Sequence, residues 1–194
     1  MHHNELANAF TVLVEAVGKE IRSLYETRCD RCSGEAAVSY TVYSQMFQCP
    51  RCLKKVALYD CDQVESETAA GKAKVVNVCP HCHQKGHNEV IRSQSEKFGF
   101  VPVMTCYSCR NGCKPVRATR SHNDSDNKKR MYFADYDLQK LAEIDKHSIP
   151  YAYPKGYSMT GFSRYQRDAL FYYGVKEVAD LFTKRNLRAL LVSA

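Results

Sequence analysis

The sequence predicts a small, metal-dependent α+β fold, with two tandem zinc ribbons flanked by helices. Three observations predict it. Four Cys-x-x-Cys pairs stand in one short chain: Cys29/Cys32, Cys49/Cys52, Cys79/Cys82 and Cys106/Cys109. Between them the apolar residues alternate, as half-buried strands require. Before and after them the apolar residues recur at three- and four-residue steps, as amphipathic helices require.

Residues 1–27 form the first expected element, an amphipathic helix. Leu6, Phe10, Leu13, Val14, Val17, Ile21, Leu24 and Tyr25 line one face, with Glu15, Lys19, Glu20 and Arg22 on the other. A face this apolar requires a partner, within this chain or in another.

Residues 28–61 are the expected first ribbon. A tight turn in each Cys-x-x-Cys pair aims both sulfurs at one point, and zinc takes four such soft ligands tetrahedrally. Sixteen residues, 33–48, separate Cys32 from Cys49, within the usual ribbon spacing. Cys29, Cys32, Cys49 and Cys52 are therefore the expected first ligand set. Ala36, Val38, Tyr40 and Val42 mark one strand, Met46 and Phe47 a second, and Val56, Leu58 and Tyr59 a third. Cys61 reads as a buried or spare thiol, since four ligands already close a structural site.

Residues 62–73 carry Glu65, Glu67, Thr68, Gly71 and Lys72 and read as a linker or hairpin loop. The second ribbon is expected over 74–120, with ligands Cys79, Cys82, Cys106 and Cys109. Twenty-three residues, 83–105, lie between its pairs, which calls for an enlarged loop. Cys113, His81, His83 and His87 stand near this site as alternative ligands, weighed against solvent-facing loop residues.

A basic loop is expected over 121–134. Arg110, Lys114, Arg117, Arg120, Lys128, Lys129 and Arg130 cluster after the last cysteine pair, with Tyr107 and Tyr132 nearby. Such a run is a solvated surface or a phosphate-binding one. The formal net charge of +7 permits nucleic-acid contact.

The last segment, 135–194, is expected to be helical. It comprises a helix from Asp135 to Lys146, an extended Ile149-Pro150-Tyr151-Ala152-Tyr153-Pro154 stretch, and a short helical piece from Val175 to Phe182. Thr183 then caps a final helix with a Leu187, Leu190, Leu191 stripe. The end at Ala194, without a cap signal, suggests an excised piece.

Other classes are disfavoured. No signal peptide opens the chain, and four Cys-x-x-Cys copies do not suit a single redox motif, so reduced thiols in the cytoplasm are the expectation. No transmembrane run is present. A catalytic metal needs an open ligand position, which four thiolates do not leave. Glu35 and Glu89 lie near cysteines but read as surface charges.

Three stretches carry a family likeness: Leu24-Tyr25-Glu26-Thr27 directly before Cys29, Ile149-Pro150-Tyr151 with Pro154, and Asp180-Leu181-Phe182-Thr183-Lys184-Arg185-Asn186-Leu187. With the cysteine pairs between them, the sequence resembles the internal zinc-ribbon insertion of prokaryotic site-specific DNA methyltransferases that modify exocyclic base amines. The resemblance implies two structural zinc ions, DNA contact or target recognition, and a methyltransferase catalytic domain in cis or in trans. It implies no catalysis by this chain alone. The family's glycine-rich S-adenosylmethionine turn is absent, as is its Pro-Pro-aromatic motif, so that cofactor belongs to a catalytic part outside this chain. The rival reading is a free-standing zinc-ribbon adaptor that binds a protein partner.

Overall fold

The computed structural model describes residues 3–67, 71–92, 97–114, 116–119, 127–161, 170 and 174–192. Its elements in order are α1 (His3–Leu24), β1 (Glu26–Arg28), β2 (Glu35–Gln48), β3 (Lys55–Ala57), β4 (Asp62–Glu67), β5 (Ala73–Val78), α2 (Pro80–His83), β6 (Lys97–Cys109), β7 (Val116–Thr119), α3 (Asn127–Tyr132), α4 (Gln139–Lys146) and α5 (Lys184–Val192). Two strand systems result. One has the order β1-β2-β6-β7 with β3 also on β2, and the other is the β4-β5 pair. The class is thus mixed helix and sheet, as expected.

The chain divides into two units. The first comprises Met1–Ser39, Tyr107–Val116 and Ala134–Ala194, and the second Tyr40–Cys106 and Arg117–Phe133.

The expected first and second strands are one. No glycine or proline interrupts Val42-Tyr43-Ser44-Gln45-Met46, so β2 runs unbroken for 14 residues. At one end β1 pairs with it antiparallel, Thr27 opposite Ala36. At the other, β3 pairs Val56 opposite Phe47.

Of the stretch expected as a linker or hairpin loop, Asp62–Glu67 is a strand. β4 pairs along its whole length with β5, from Asp62 opposite Val78 to Glu67 opposite Ala73. Its side chains are mostly polar and exposed, so composition hides a strand that backbone pairing reveals. In the second unit Phe47, Cys49, Val56, Cys61, Cys79, Cys82 and Ile91 form one buried cluster.

The helix expected from Asp135 begins at Asn127. Lys128, Lys129 and Arg130 are good helix formers, and α3 continues through a π-helical turn, Phe133–Leu138, into α4. Part of the expected basic loop is therefore helix, and residues 121–126 lie outside the described ones. Phe133, Asp137, Leu141 and Ile144 are the buried positions of this run. Asp137 accepts a hydrogen bond from Thr27 Oγ1 at 2.7 Å, so the π turn joins the strand before the first cysteine pair.

α1 is anchored at its C-terminal end. Glu20 accepts Arg188 Nε at 3.0 Å and Nη2 at 2.7 Å, and Tyr151 Oη at 2.9 Å. Tyr25 Oη donates to Asn186 at 2.9 Å, and the Arg185 guanidinium lies 4.8 Å from the Tyr25 ring centre. Thr183 caps α5 as expected, with Asn186 N donating to its Oγ1 at 3.3 Å. The buried positions of α5, however, are Arg185 and Val192, while Leu190 is exposed. Toward the N-terminus of α1, Leu6 is 58% and Phe10 66% exposed, and Leu13 and Val14 are exposed as well. No described helix is long and apolar enough to cross a membrane.

Candidate metal centres

Two cysteine tetrads emerge, and their membership differs from the expected one. Cys29, Cys32, Cys109 and Cys113 form the outer tetrad, in the first unit. Cys49, Cys52, Cys79 and Cys82 form the inner, in the second. Within each, one ligand atom per residue lies within 4.8 Å of the others. Cys32 and Cys109 sulfurs are 3.5 Å apart, and the Cys49–Cys82 and Cys52–Cys79 pairs 3.7 Å. A tetrahedral ion with metal–sulfur bonds of about 2.3 Å needs sulfurs about 3.8 Å apart. Both tetrads could therefore hold a metal ion with little rearrangement.

The expected sets of neighbouring pairs fail for two physical reasons. The unbroken strand β2 separates the first two knuckles in the chain, and each gathers its partners from a later turn instead. Cys106, moreover, lies inside β6, where side chains alternate between faces. Val103, Thr105 and Tyr107 are the buried positions, which puts Cys109 on their face and Cys106 on the other. Cys109 is the last residue of β6, and its partner is Cys113, after a turn. Gly112 takes φ 74° there, a left-handed value that glycine adopts without strain and that accommodates the extra residue of a Cys-x-x-x-Cys pair.

Each half-site has its own local logic. The knuckles at 29–34 and 49–54 share one backbone pattern: Ser33 N donates to Cys29 O at 2.8 Å and Leu53 N to Cys49 O at 2.9 Å, while Cys29 N donates to Gly34 O and Cys49 N to Lys54 O. Both place the residue after the second cysteine in the left-handed region, Ser33 at φ 59° and Leu53 at φ 58°. The third knuckle is helical. Pro80 occupies the first turn of α2, and His83 N donates to Cys79 O at 2.9 Å.

Hydrogen bonds to sulfur prepare the outer tetrad for a cation. Asn111 N lies 3.4 Å from Cys109 Sγ, and Asn111 Nδ2 lies 3.5 Å from Cys32 Sγ. Gly34 is needed for this approach, because a Cβ there would fall 2.5 Å from Asn111 Nδ2. The backbone of Gly34 and the Cys109 sulfur draw the Cys32 thiol down to about 6. The Cys32 and Cys109 sulfurs push Cys113 up to about 12. In the inner tetrad, burial pushes Cys82 up to about 12. Neighbouring thiols cannot all ionise unaided, and a divalent cation removes that conflict.

Burial distinguishes the two centres. Cys49, Cys79 and Cys82 are buried and Cys52 half-buried, whereas Cys32 is exposed and only Cys29 of its tetrad is buried. Tyr107 supports the outer centre from behind. It is 1% exposed, its hydroxyl donates to the Asp30 carboxylate, and Asp30 N donates back to it at 3.0 Å. Tyr107 is thus a buried brace rather than a stacking surface. Tyr107→Phe is expected to lower stability by about 2 kcal/mol, the scale of a buried hydrogen bond to a charged group. Chemical denaturation of the metal-loaded chain checks this.

The other candidate ligands lie elsewhere. Cys61 is buried beside the inner centre, where burial pushes its thiol to about 12 and its Sγ lies 3.5 Å from Ala57 O. The Nδ1 of His83 is 2.9 Å from Asp62, while His81 is half-buried and His87 exposed. None of these belongs to either tetrad.

The basic residues are divided between the units. Arg110 and Lys114 are in the first, Lys128, Lys129 and Arg130 in the second. Arg110 is paired with Glu35 at 2.5 Å, and Lys128 Nζ lies 5.6 Å from the Tyr132 ring centre. Arg117 is on β7, and Arg120 lies outside the described residues.

An open depression of about 570 Å³ in the first unit is lined by Ile149, Tyr153, Lys155, Phe182 and Lys184, among others. Its acid, Asp180, is engaged by the backbone N–H groups of Glu177 and Lys176, which hold it below the usual carboxylate range. Lys184 donates to Asp145 O at 2.7 Å. These groups cap and tie the 3₁₀ turn Val178–Leu181 and α5, and do not form an acid–base pair.

Comparison with protein-family models, with curated proteins and with solved structures finds no match to this chain.

Proposed function

We propose that this chain is a zinc-binding, DNA-contacting target-recognition segment that works with a DNA-methyltransferase catalytic domain and transfers no methyl group by itself. The observation that carries this reading is a convergence. The three stretches behind the family likeness meet around one end of α1: Tyr25 bonds Asn186, Arg185 lies against Tyr25, and Tyr151 bonds Glu20. Residues about 120 or more positions apart in sequence form one constellation directly before the first knuckle.

Zinc suits both tetrads because four soft sulfurs stand near the edge length of a zinc tetrahedron. Each closed set leaves no position for water, so the role is structural. S-adenosylmethionine would be held by the catalytic partner. The bare N-terminal half of α1 gives that partner an apolar face to cover. An adaptor that binds some other protein would use the same face, and DNA binding separates the two readings.

Purified, metal-loaded chain is expected to bind duplex DNA weakly and to incorporate no labelled methyl group above a heat-killed control. Affinity should fall steeply with salt as phosphate counterions are released. Replacing Lys128, Lys129 and Arg130 together by Glu should weaken binding to all sequences alike, because phosphate contacts position without specifying. Methyl transfer by the chain alone, or no duplex affinity at low salt, would overturn the reading.

A further inference from the structure

The second knuckle carries two features that metal binding does not require. Leu53 sits at φ 58°, where an L side chain is strained, and is nevertheless 66% exposed. Glycine would relieve that backbone, and a polar side chain would suit the water. Around it Arg51, Lys54 and Lys55 are exposed, and the sequence from Met46 to Ala57 contains no acid. Lys55 Nζ lies 4.0 Å from the Phe98 ring centre, which leaves Arg51 and Lys54 at the tip. The first knuckle has the same backbone turn but not this chemistry: Ser33 takes the left-handed position, and Asp30 and Glu35 flank Arg31.

We propose that the 49–54 knuckle is a duplex-DNA probe in which Leu53 enters a base step as an apolar wedge while Arg51 and Lys54 take the flanking phosphates. Apolar wedges of this kind unstack base steps, and neighbouring cations secure the backbone on either side. The inner tetrad makes the wedge rigid. Leu53 N and Cys49 N are both hydrogen bonded within the knuckle, and Gln48 Nε2 donates to Leu53 O at 3.1 Å. Little order remains to be gained on binding, which favours a short, stiff contact. The inference rests on the DNA reading above but moves the decisive contact from the Lys128–Arg130 run to this tip.

The test uses the full zinc-loaded chain and a duplex containing 2-aminopurine, whose fluorescence rises when its step unstacks. Leu53→Gly removes the wedge and also relieves the backbone. It is expected to keep or raise the melting temperature, lower duplex affinity about tenfold, and abolish the fluorescence rise. Arg51→Gln with Lys54→Gln should reduce the slope of log affinity against log salt by about two, one per phosphate released. A Leu53→Gly chain that binds and unstacks like the parent, or weakens only together with a lower melting temperature, overturns the proposal. So does a double variant that loses zinc but keeps its salt slope, since its cations would then merely offset the thiolate charge. If Lys128→Glu/Lys129→Glu/Arg130→Glu abolishes binding and the tip variants do not, the tip proposal fails and the DNA reading stands. If the parent binds an acidic protein but no duplex, both fail.

Discussion

Cys113→Ser is expected to leave one metal ion per chain, whereas Cys106→Ser keeps two. The contrast follows from the end of β6. Cys109 shares a face with the buried Tyr107, Cys106 points to the other face, and the turn through Gly112 returns Cys113 to the Cys29/Cys32 knuckle. The effect should be large because four-coordinate thiolate sites lose much of their affinity with one ligand, and the chelate effect acts through the remaining three. Native mass spectrometry of the two variants decides it. Two ions in Cys113→Ser and one in Cys106→Ser would restore the grouping that Cys-x-x-Cys spacing suggests.

Cys49→Ser is expected to open the second unit while the first stays folded. Its sulfur is buried, and it sits within the apolar cluster of Phe47, Val56, Cys61 and Ile91, so the inner tetrad and the core are one structure. Structural zinc contributes about 10–16 kcal/mol of binding free energy at neutral pH, and that becomes folding free energy. Losing even a third, roughly 4 kcal/mol, rivals the whole stability of a small domain. Hydrogen exchange localises the damage. The amides of Cys49, Leu53 and His83, each bonded within a knuckle of the inner centre, should lose protection, while those of Cys29 and Ser33 keep it. A uniform loss across both units would show that they fold as one and that the two centres are not separable.

The chemistry of the site was legible before the fold. Soft thiols in knuckle-sized pairs point to sites that could hold a metal whatever their partners, and seven of the eight tetrad cysteines are among those the spacing selects. The helices at both ends were equally readable, as was the Thr183 cap, because each depends on neighbours within one turn. Cys113 was visible only as an alternative. The signal that could have promoted it is the period-two run through Val103, Thr105, Tyr107 and Cys109, followed by Arg110-Asn111-Gly112, a turn after a strand that already contains Cys106.

The donor set, the local turns that aim it and the amphipathic ends thus follow from residues close together in the chain. Tertiary structure decided which donors meet. That choice rests on an unbroken strand of 14 residues between the first two knuckles, and on strand parity that turns Cys106 away. It rests also on β4 pairing with β5, where polar side chains conceal the pairing. The anchoring of one end of α1 through Glu20, Tyr25, Tyr151 and Arg188 belongs to the same level. Each of these joins residues far apart in the chain. Spacing motifs record only the distance along the chain, whereas a metal tetrahedron depends on the distance through space.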